Sequence, residues 1–217
     1  MAGLFISFEG IDGVGKSTQA DLLEEFLADQ GKTVVRTLEP GGTELGHEIR
    51  QLLLHSGHVA PRAEALLYAA DRGHHVATKI RPALAEGKVV ITDRYLDSSV
   101  AYQGAGRVLG ADEVRNLSIW ATEGLLPALT VLLDLDAETA VARRAKTGSA
   151  PDRLEREKVE FFEKVRSCYL ELAAAEAAAA REAAREAARE AKREAKREAK
   201  AAPSKAAAAR QLATRSL

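Results

Sequence analysis

Eight residues near the N-terminus have the types and spacing of a phosphate cradle. Gly10-Ile11-Asp12-Gly13-Val14-Gly15-Lys16-Ser17 fits G-x-x-x-x-G-K-[ST], and Thr18 follows directly. Glycines let backbone N–H groups turn inward around phosphate oxygens. Lys16 supplies positive charge for the β/γ-phosphates, and Ser17 a hydroxyl for Mg²⁺. Downstream, Val89-Val90-Ile91-Thr92-Asp93 is an apolar run ending in a carboxylate. That is the form of a Walker B strand, whose Asp helps to hold Mg²⁺. Gly10–Thr18 are therefore the candidates for binding a nucleoside triphosphate, and Ser17 and Asp93 for the metal.

A phosphoryl group needs an acceptor, and three arginines point to where one could bind. Arg94 follows Asp93, Arg72 ends Leu66-Leu67-Tyr68-Ala69-Ala70-Asp71-Arg72, and Arg50 lies beyond the turn Glu39-Pro40-Gly41-Gly42-Thr43. Arginine binds phosphate bidentately and stays charged at every relevant pH. Asp97-Ser98-Ser99-Val100-Ala101-Tyr102-Gln103-Gly104 gathers hydroxyls, an aromatic ring and an amide in one stretch, which suits a nucleoside. An ordinary helix start also uses Asp and Ser there. Taken alone, Tyr68 reads better as a core residue on an apolar helix face.

These residues need elements to position them. Leu4–Phe8 is short and apolar and reads as a buried strand. Lys16–Gln30 repeats apolar residues at helical spacing and meets Gly31 where a helix stops. Lys32–Leu38, Lys88–Thr92 and Thr130–Asp134 read as three more strands. Helices are expected over Leu45–Leu54, from Pro61 through Arg72 with a continuation to Gly87 kinked or interrupted at Pro82, and over Asp97–Gln103, Asp112–Glu123 and Ala137–Lys146. A last one begins near Leu154. Non-alternating strands separated by helices predict an α/β fold of three layers, a parallel sheet with helices on both faces. Ligands in such sheets bind beyond the carboxyl ends of the strands, where the candidate residues lie.

Composition sets bounds. The chain has 217 residues, a formal net charge of −1 and one cysteine. Cys168 has no partner for an internal disulfide, and no Cys/His cluster has zinc spacing. No run of about 18 apolar residues exists, nor a basic leader before Leu4, so a cytoplasmic protein with no membrane contact is expected. Charge and composition break near residue 172. Residues 173–217 hold 21 Ala, 11 Lys+Arg and 6 Glu, with no Gly and no aromatic. The preceding 172 residues carry 20 basic and 26 acidic side chains, an acidic balance that argues against nucleic-acid binding over a broad face.

Taken together, the motifs resemble the bacterial thymidylate kinases, P-loop nucleoside monophosphate kinases. The matching stretches are Phe8-Glu9-Gly10-Ile11-Asp12-Gly13 through Thr18, Glu39-Pro40-Gly41-Gly42-Thr43, Leu67–Arg72, Asp93-Arg94-Tyr95, Ala101-Tyr102-Gln103-Gly104, Asp152-Arg153-Leu154-Glu155 and Tyr169–Leu172. The resemblance covers about residues 3–172 and implies transfer of the ATP γ-phosphate to dTMP, with Mg²⁺, by a homodimer. It also implies roles. Lys16, Arg94 and Arg153 would be catalytic, the last from a lid over residues 143–153, with Arg143 and Arg144 as alternatives. Tyr68 would stack on thymine, and Arg72 would hold the base or phosphate region. Arg94 would clamp the dTMP phosphate with help from Arg50. Ser99 would bond the base edge beside Gln103, and Tyr102 would lie under the deoxyribose. Asp12 would meet the 3′-hydroxyl or the Mg²⁺ shell, and Pro40 would follow a cis bond.

The resemblance ends at Leu172. A fifth strand is normal for the family, but Ala/Arg/Glu/Lys repeats occupy that place and offer no β-branched residue until Thr214. Strong helix formers predict one helix over 173–202, stopped at Pro203. Residues 203–217 are expected to be disordered. An inert spacer and a basic contact for an acidic partner both fit the tail. A chain lacking the fifth strand could also be a weakly active nucleotide-binding scaffold, or a kinase for another nucleoside monophosphate.

Overall fold

The computed structural model describes residues 3–146 and 150–201, with side chains to residue 197. The chain divides into two units, Met1–Leu172 and Ala173–Leu217. In the first, β1 (Leu4–Glu9), β2 (Val34–Leu38), β3 (Val89–Asp93) and β4 (Leu129–Leu132) form one parallel sheet in the order β2-β3-β1-β4. Val89–Ile91 and Phe5, Ile6 and Phe8 are all buried, as central strands covered on both faces must be.

The helices are α1 (Lys16–Asp29), α2 (Glu44–His55), α3 (Pro61–His75), α4 (Arg81–Ala85), α5 (Leu96–Ser99), α6 (Ala111–Ala121), α7 (Ala137–Ala145) and α8 (Val159–Ala201). Thr43 caps α2 by accepting from the Gly46 N–H, and Asp136 caps α7 by accepting from Thr139. Pro61 opens α3, where its missing N–H costs nothing.

The long helix is interrupted just before Pro82, as one of the two expectations for that residue had it, and two other local expectations are corrected. A π-helical turn, Val76–Ile80, separates α3 from α4, and the Arg81 N–H reaches back to the Val76 carbonyl. That extra residue places Pro82 in the first turn of α4, where no hydrogen bond is lost. Asp97–Gln103 is not a single α-helix: α5 widens into a second π-helical stretch, Val100–Gly106. And α8 starts at Val159 rather than near Leu154. Asp152 accepts from the backbone N–H groups of Leu154 and Glu155 at 2.8 and 2.9 Å, and this local turn competes with helix.

The strand faces separate two cores. Phe5 and Val90 point into a large cluster with residues of α2, α3, α5, α7 and α8, whereas Ile6, Phe8, Val89 and Ile91 meet Ala20 of α1. Among the described residues β4 pairs only with β1 and is one edge of the sheet, β2 being the other. In the second unit, α8 carries the alanine-rich repeats, and residues 173–197 are exposed. The expected disordered segment 203–217 lies outside the described residues.

Candidate active site

The parallel register places Phe8 beside Asp93, so the loops after β1 and β3 leave the sheet side by side. This adjacency assembles the phosphate site. Gly13 takes φ 87°, and a Cβ there would strike the Ala140 carbonyl of α7, so the close turn requires glycine. Gly15 precedes α1 without any side-chain cap, which leaves the first-turn N–H groups aimed at an anion. Lys16 is buried, and its Nζ donates to the carbonyls of Gly10 and Ile11 at 3.0 Å each while standing 3.6 Å from Asp12. Burial and the neighbouring Arg94 lower the lysine's proton affinity, with Asp12 and Asp93 acting against them.

Ser17 Oγ donates to Asp93 Oδ2 at 2.8 Å. A hydroxyl and a carboxylate meeting at the phosphate loop are hard oxygen donors of the kind Mg²⁺ accepts alongside phosphate oxygens and water. The donor chemistry therefore fits the metal.

Arg94 lies at the junction of two cavities. One is lined by Gly13, Lys16, Ser17, Thr18 and Asp93 with Arg143 and Arg144 of α7. The other is lined by Pro40, Tyr68, Arg72, Ser99, Tyr102 and Gln103. Asp12, Glu39, Arg50 and Arg94 belong to both. Arg94 has a φ of 72°, costly for a side chain with a Cβ and repaid by its contacts. Its guanidinium donates to Asp12 Oδ1 at 2.6 Å, to Ser98 at 3.0 Å and to the hydroxyls of Tyr102 and Tyr169 at 3.2 and 3.3 Å. It also lies 4.9 Å from the Tyr102 ring centroid. Burial by itself would raise the Asp12 carboxyl, but Arg94 and Lys16 beside it hold it well below the usual carboxylate range.

The second cavity is built largely on α3 and the π-helical stretch. Tyr68 is in the large core and also lines the cavity. Arg72 is buried, and four of its five guanidinium N–H groups have partners. Its Nε donates to Glu39 at 2.7 Å, and its terminal nitrogens donate to Ser118, Ser99 and the Tyr95 carbonyl. Arg50 donates to the Pro40 carbonyl at 2.8 Å, and Glu39-Pro40 is a cis peptide.

Arg153 does not join this group. Its guanidinium donates to Glu64 at 2.6 Å and to the Leu53 carbonyl at 2.8 Å, which ties residues 151–155 to α2 and α3. The lid cations brought to the phosphate cavity are Arg143 and Arg144, and Arg144 also holds Glu155 at 2.7 Å. Thr147–Ser149 of the expected lid lie outside the described residues.

Four acidic and phenolic side chains had no role assigned from sequence. Glu9 accepts from the Tyr95 N–H, from Ser98 and from Tyr169 beneath Arg94, and its burial raises its pKa. Glu64 holds Gln103, Arg107 and Arg153. Glu39 holds Arg72, and Tyr169 reaches Arg94 from α8. An acidic residue at the end of an apolar strand is a signal for Glu9; nothing local marks Glu64.

With this geometry in view, known proteins can be compared. The family model "Thymidylate kinase" matches residues 8–195. The thymidylate kinase of Leifsonia xyli subsp. xyli is 68% identical over 173 residues, 79% of this chain and 82% of the relative. That of Clavibacter sepedonicus is 64% identical, covering 81% and 84%. A crystal structure of thymidylate kinase from Ehrlichia chaffeensis superposes with a TM-score of 0.67 at 33% identity, covering 80% of this chain and 87% of that one. The chain belongs to the thymidylate kinase family.

Proposed function

We propose that the chain transfers the γ-phosphoryl group of ATP to the phosphate of dTMP, giving dTDP and ADP. The observation that carries this reading is the pair of cavities that meet at Arg94 and Asp12, one framed by a phosphate loop and the other by two tyrosine rings, Arg72 and an amide. Relatives at 51–68% identity bear the name thymidylate kinase.

The chemistry asks the protein for alignment and charge neutralisation rather than a general base. The acceptor is a phosphate oxygen that is mostly ionised near pH 7, because the second pKa of a phosphomonoester is about 6. Lys16 leaves the Gly10 and Ile11 carbonyls for the β/γ-phosphates. Arg94 exchanges its Asp12 contact for the dTMP phosphate, and Arg50 assists. Asp12 is then released to the sugar 3′-hydroxyl. Tyr68 stacks on the base, Arg72 with Ser99 and Gln103 meets its edge, and the Tyr102 ring fills the space a 2′-hydroxyl would need. Ser17 and Asp93 would hold Mg²⁺, which when bound neutralises charge on the β- and γ-phosphates. The catalytic lid arginine is best sought at Arg144 or Arg143, which already face the phosphate cavity, with Arg153 able to join only by leaving Glu64.

A homodimer in the cytoplasm completes the proposal. Its support is that α3 packs against α2 and α6, and the three helices expose Leu45, Leu52, Leu66 and Trp120, the last 79% exposed. Light scattering of Trp120→Glu should give a monomer.

The deciding experiment is ADP release measured with dTMP, dUMP, dCMP and dGMP as acceptors. Turnover that is fastest with dTMP is expected. Nucleotide binding without turnover would identify an inactive scaffold, and preference for another acceptor would identify a different kinase.

A further inference from the structure

Behind Arg72 lies a buried polar chain that the transfer mechanism does not use. His75, one helical turn along α3, has no exposed surface. Its Nδ1 lies 2.9 Å from Glu39 Oε1, and its Nε2 lies 2.7 Å from Thr37 Oγ1. Glu39 Oε2 in turn accepts from Arg72 Nε at 2.7 Å. An ionised carboxylate only accepts, so Nδ1 carries a proton, and in a neutral imidazole Nε2 accepts from the Thr37 hydroxyl. Thr37, His75, Glu39 and Arg72 are all buried, and His75 and Glu39 are each bonded at both ends of their polar groups.

The Glu-Pro-Gly-Gly turn is shaped around this imidazole. A Cβ at Gly42 would come within 2.6 Å of His75 Nε2 and 2.7 Å of both Thr37 Oγ1 and the Leu38 carbonyl. Lys79 Nζ donates to the Gly42 carbonyl at 2.9 Å and holds the turn against the same helix. Glu39 follows the last residue of β2, so without a second bond its carboxylate could rotate. The bond from His75 removes that freedom and leaves Oε2 aimed at Arg72.

We propose that His75 is a positioning residue for monophosphate recognition, fixing the Arg72 guanidinium through Glu39 so that it meets the base edge in one orientation. The proposal rests on the reading that Arg72 contacts the base of dTMP. His75 touches neither substrate and does no chemistry itself.

The test is the split between KM and kcat. His75→Phe is expected to raise the dTMP KM about tenfold, the cost of losing one buried hydrogen-bond partner, with the ATP KM and kcat changed about twofold or less. His75→Asn keeps a donor near the Nδ1 position and should recover most of the loss. In an Arg72→Ala background, His75→Phe should add almost nothing. A folded His75→Phe protein with wild-type dTMP KM, or one whose loss is the same with and without Arg72, would overturn the relay. Should His75→Phe fail to fold, Glu39→Gln decides, because it keeps shape but removes the charge holding Arg72; an unchanged dTMP KM there also overturns it. If Arg72→Ala alone leaves dTMP binding and base preference intact, the reading of Arg72 has failed, and that outcome is distinct from failure of the relay.

Discussion

On one face of the sheet, Phe5 and Val90 pack under α2, α3, α5 and the start of α8, and Tyr68, Tyr95, Tyr102 and Tyr169 are part of the same cluster. On the other face, Ile6, Phe8, Val89 and Ile91 meet α1 and little else. There Leu22 and Phe26 stay 54% and 59% exposed, and Leu129 of the edge strand 53%. The acceptor cavity is therefore cut into the larger core, so its side chains are held by packing as well as by hydrogen bonds. The thinner face contributes through α1 alone, whose N-terminus supports the phosphate loop. Damage to the first face should cost both stability and substrate binding. Damage to the second should cost little unless it reaches the loop.

The largest effect should separate chemistry from folding. Lys16→Ala is expected to lower kcat by about a thousandfold or more, since it removes charge aimed at the transferring group. Its melting temperature should stay near wild type. Wild-type turnover would remove the loop from the mechanism. Next, Leu53→Ala in the larger core should cost about 2–5 kcal/mol by denaturant titration, because Leu53 has no exposed surface. Phe26→Ala on the thin face should cost under about 1 kcal/mol, and equal losses would break the comparison.

The lid arginines come third. Arg144→Ala should reduce kcat by about a hundred- to a thousandfold, in the range of losing one transition-state donor. Arg153→Ala should act mainly through stability and dTMP KM, because it breaks the Glu64 contact. A kcat loss confined to Arg153→Ala would restore it as the catalytic group.

The smallest effect concerns pH. Burial, then the nearby Glu39, pushes the Asp71 carboxyl up to about 6, and its Oδ2 is buried without a hydrogen-bond partner. Between the unfolded value near 4 and this folded value, the folded state binds more protons. Its contribution to stability is thus present at low pH and lost as pH rises through about 6. Asp71→Asn should flatten that slope between pH 4 and 7 and raise stability at pH 8. An unchanged slope in thermal melts would remove Asp71 as its source.

Much of the first unit could be read from local pattern. Leu4–Phe8 and Val89–Ile91 announce buried strands by composition, and Gly10–Ser17 announces a glycine-rich turn into a helix by spacing. The two π-helical turns escaped notice because periodicity cannot register a single inserted residue. The start of α8 was misplaced because Asp152 bonds its own backbone. Glu64 escaped because its three partners come from residues 39 to 89 positions away.

By itself the sequence determined the parallel α/β plan, the phosphate loop, the acceptor motifs and the break near residue 172, since each depends on residues close together in the chain. Only the tertiary structure decided which cations share which cavity. Arg94 and Asp12 are paired because β1 and β3 are neighbours. Arg144 reaches the phosphate cavity because α7 returns to Gly13, and Arg153 is held away because α2 and α3 offer it a carbonyl and a carboxylate. Long-range pairings of this kind depend on topology and on where burial leaves a charge unpaired, and no local pattern of residues records either.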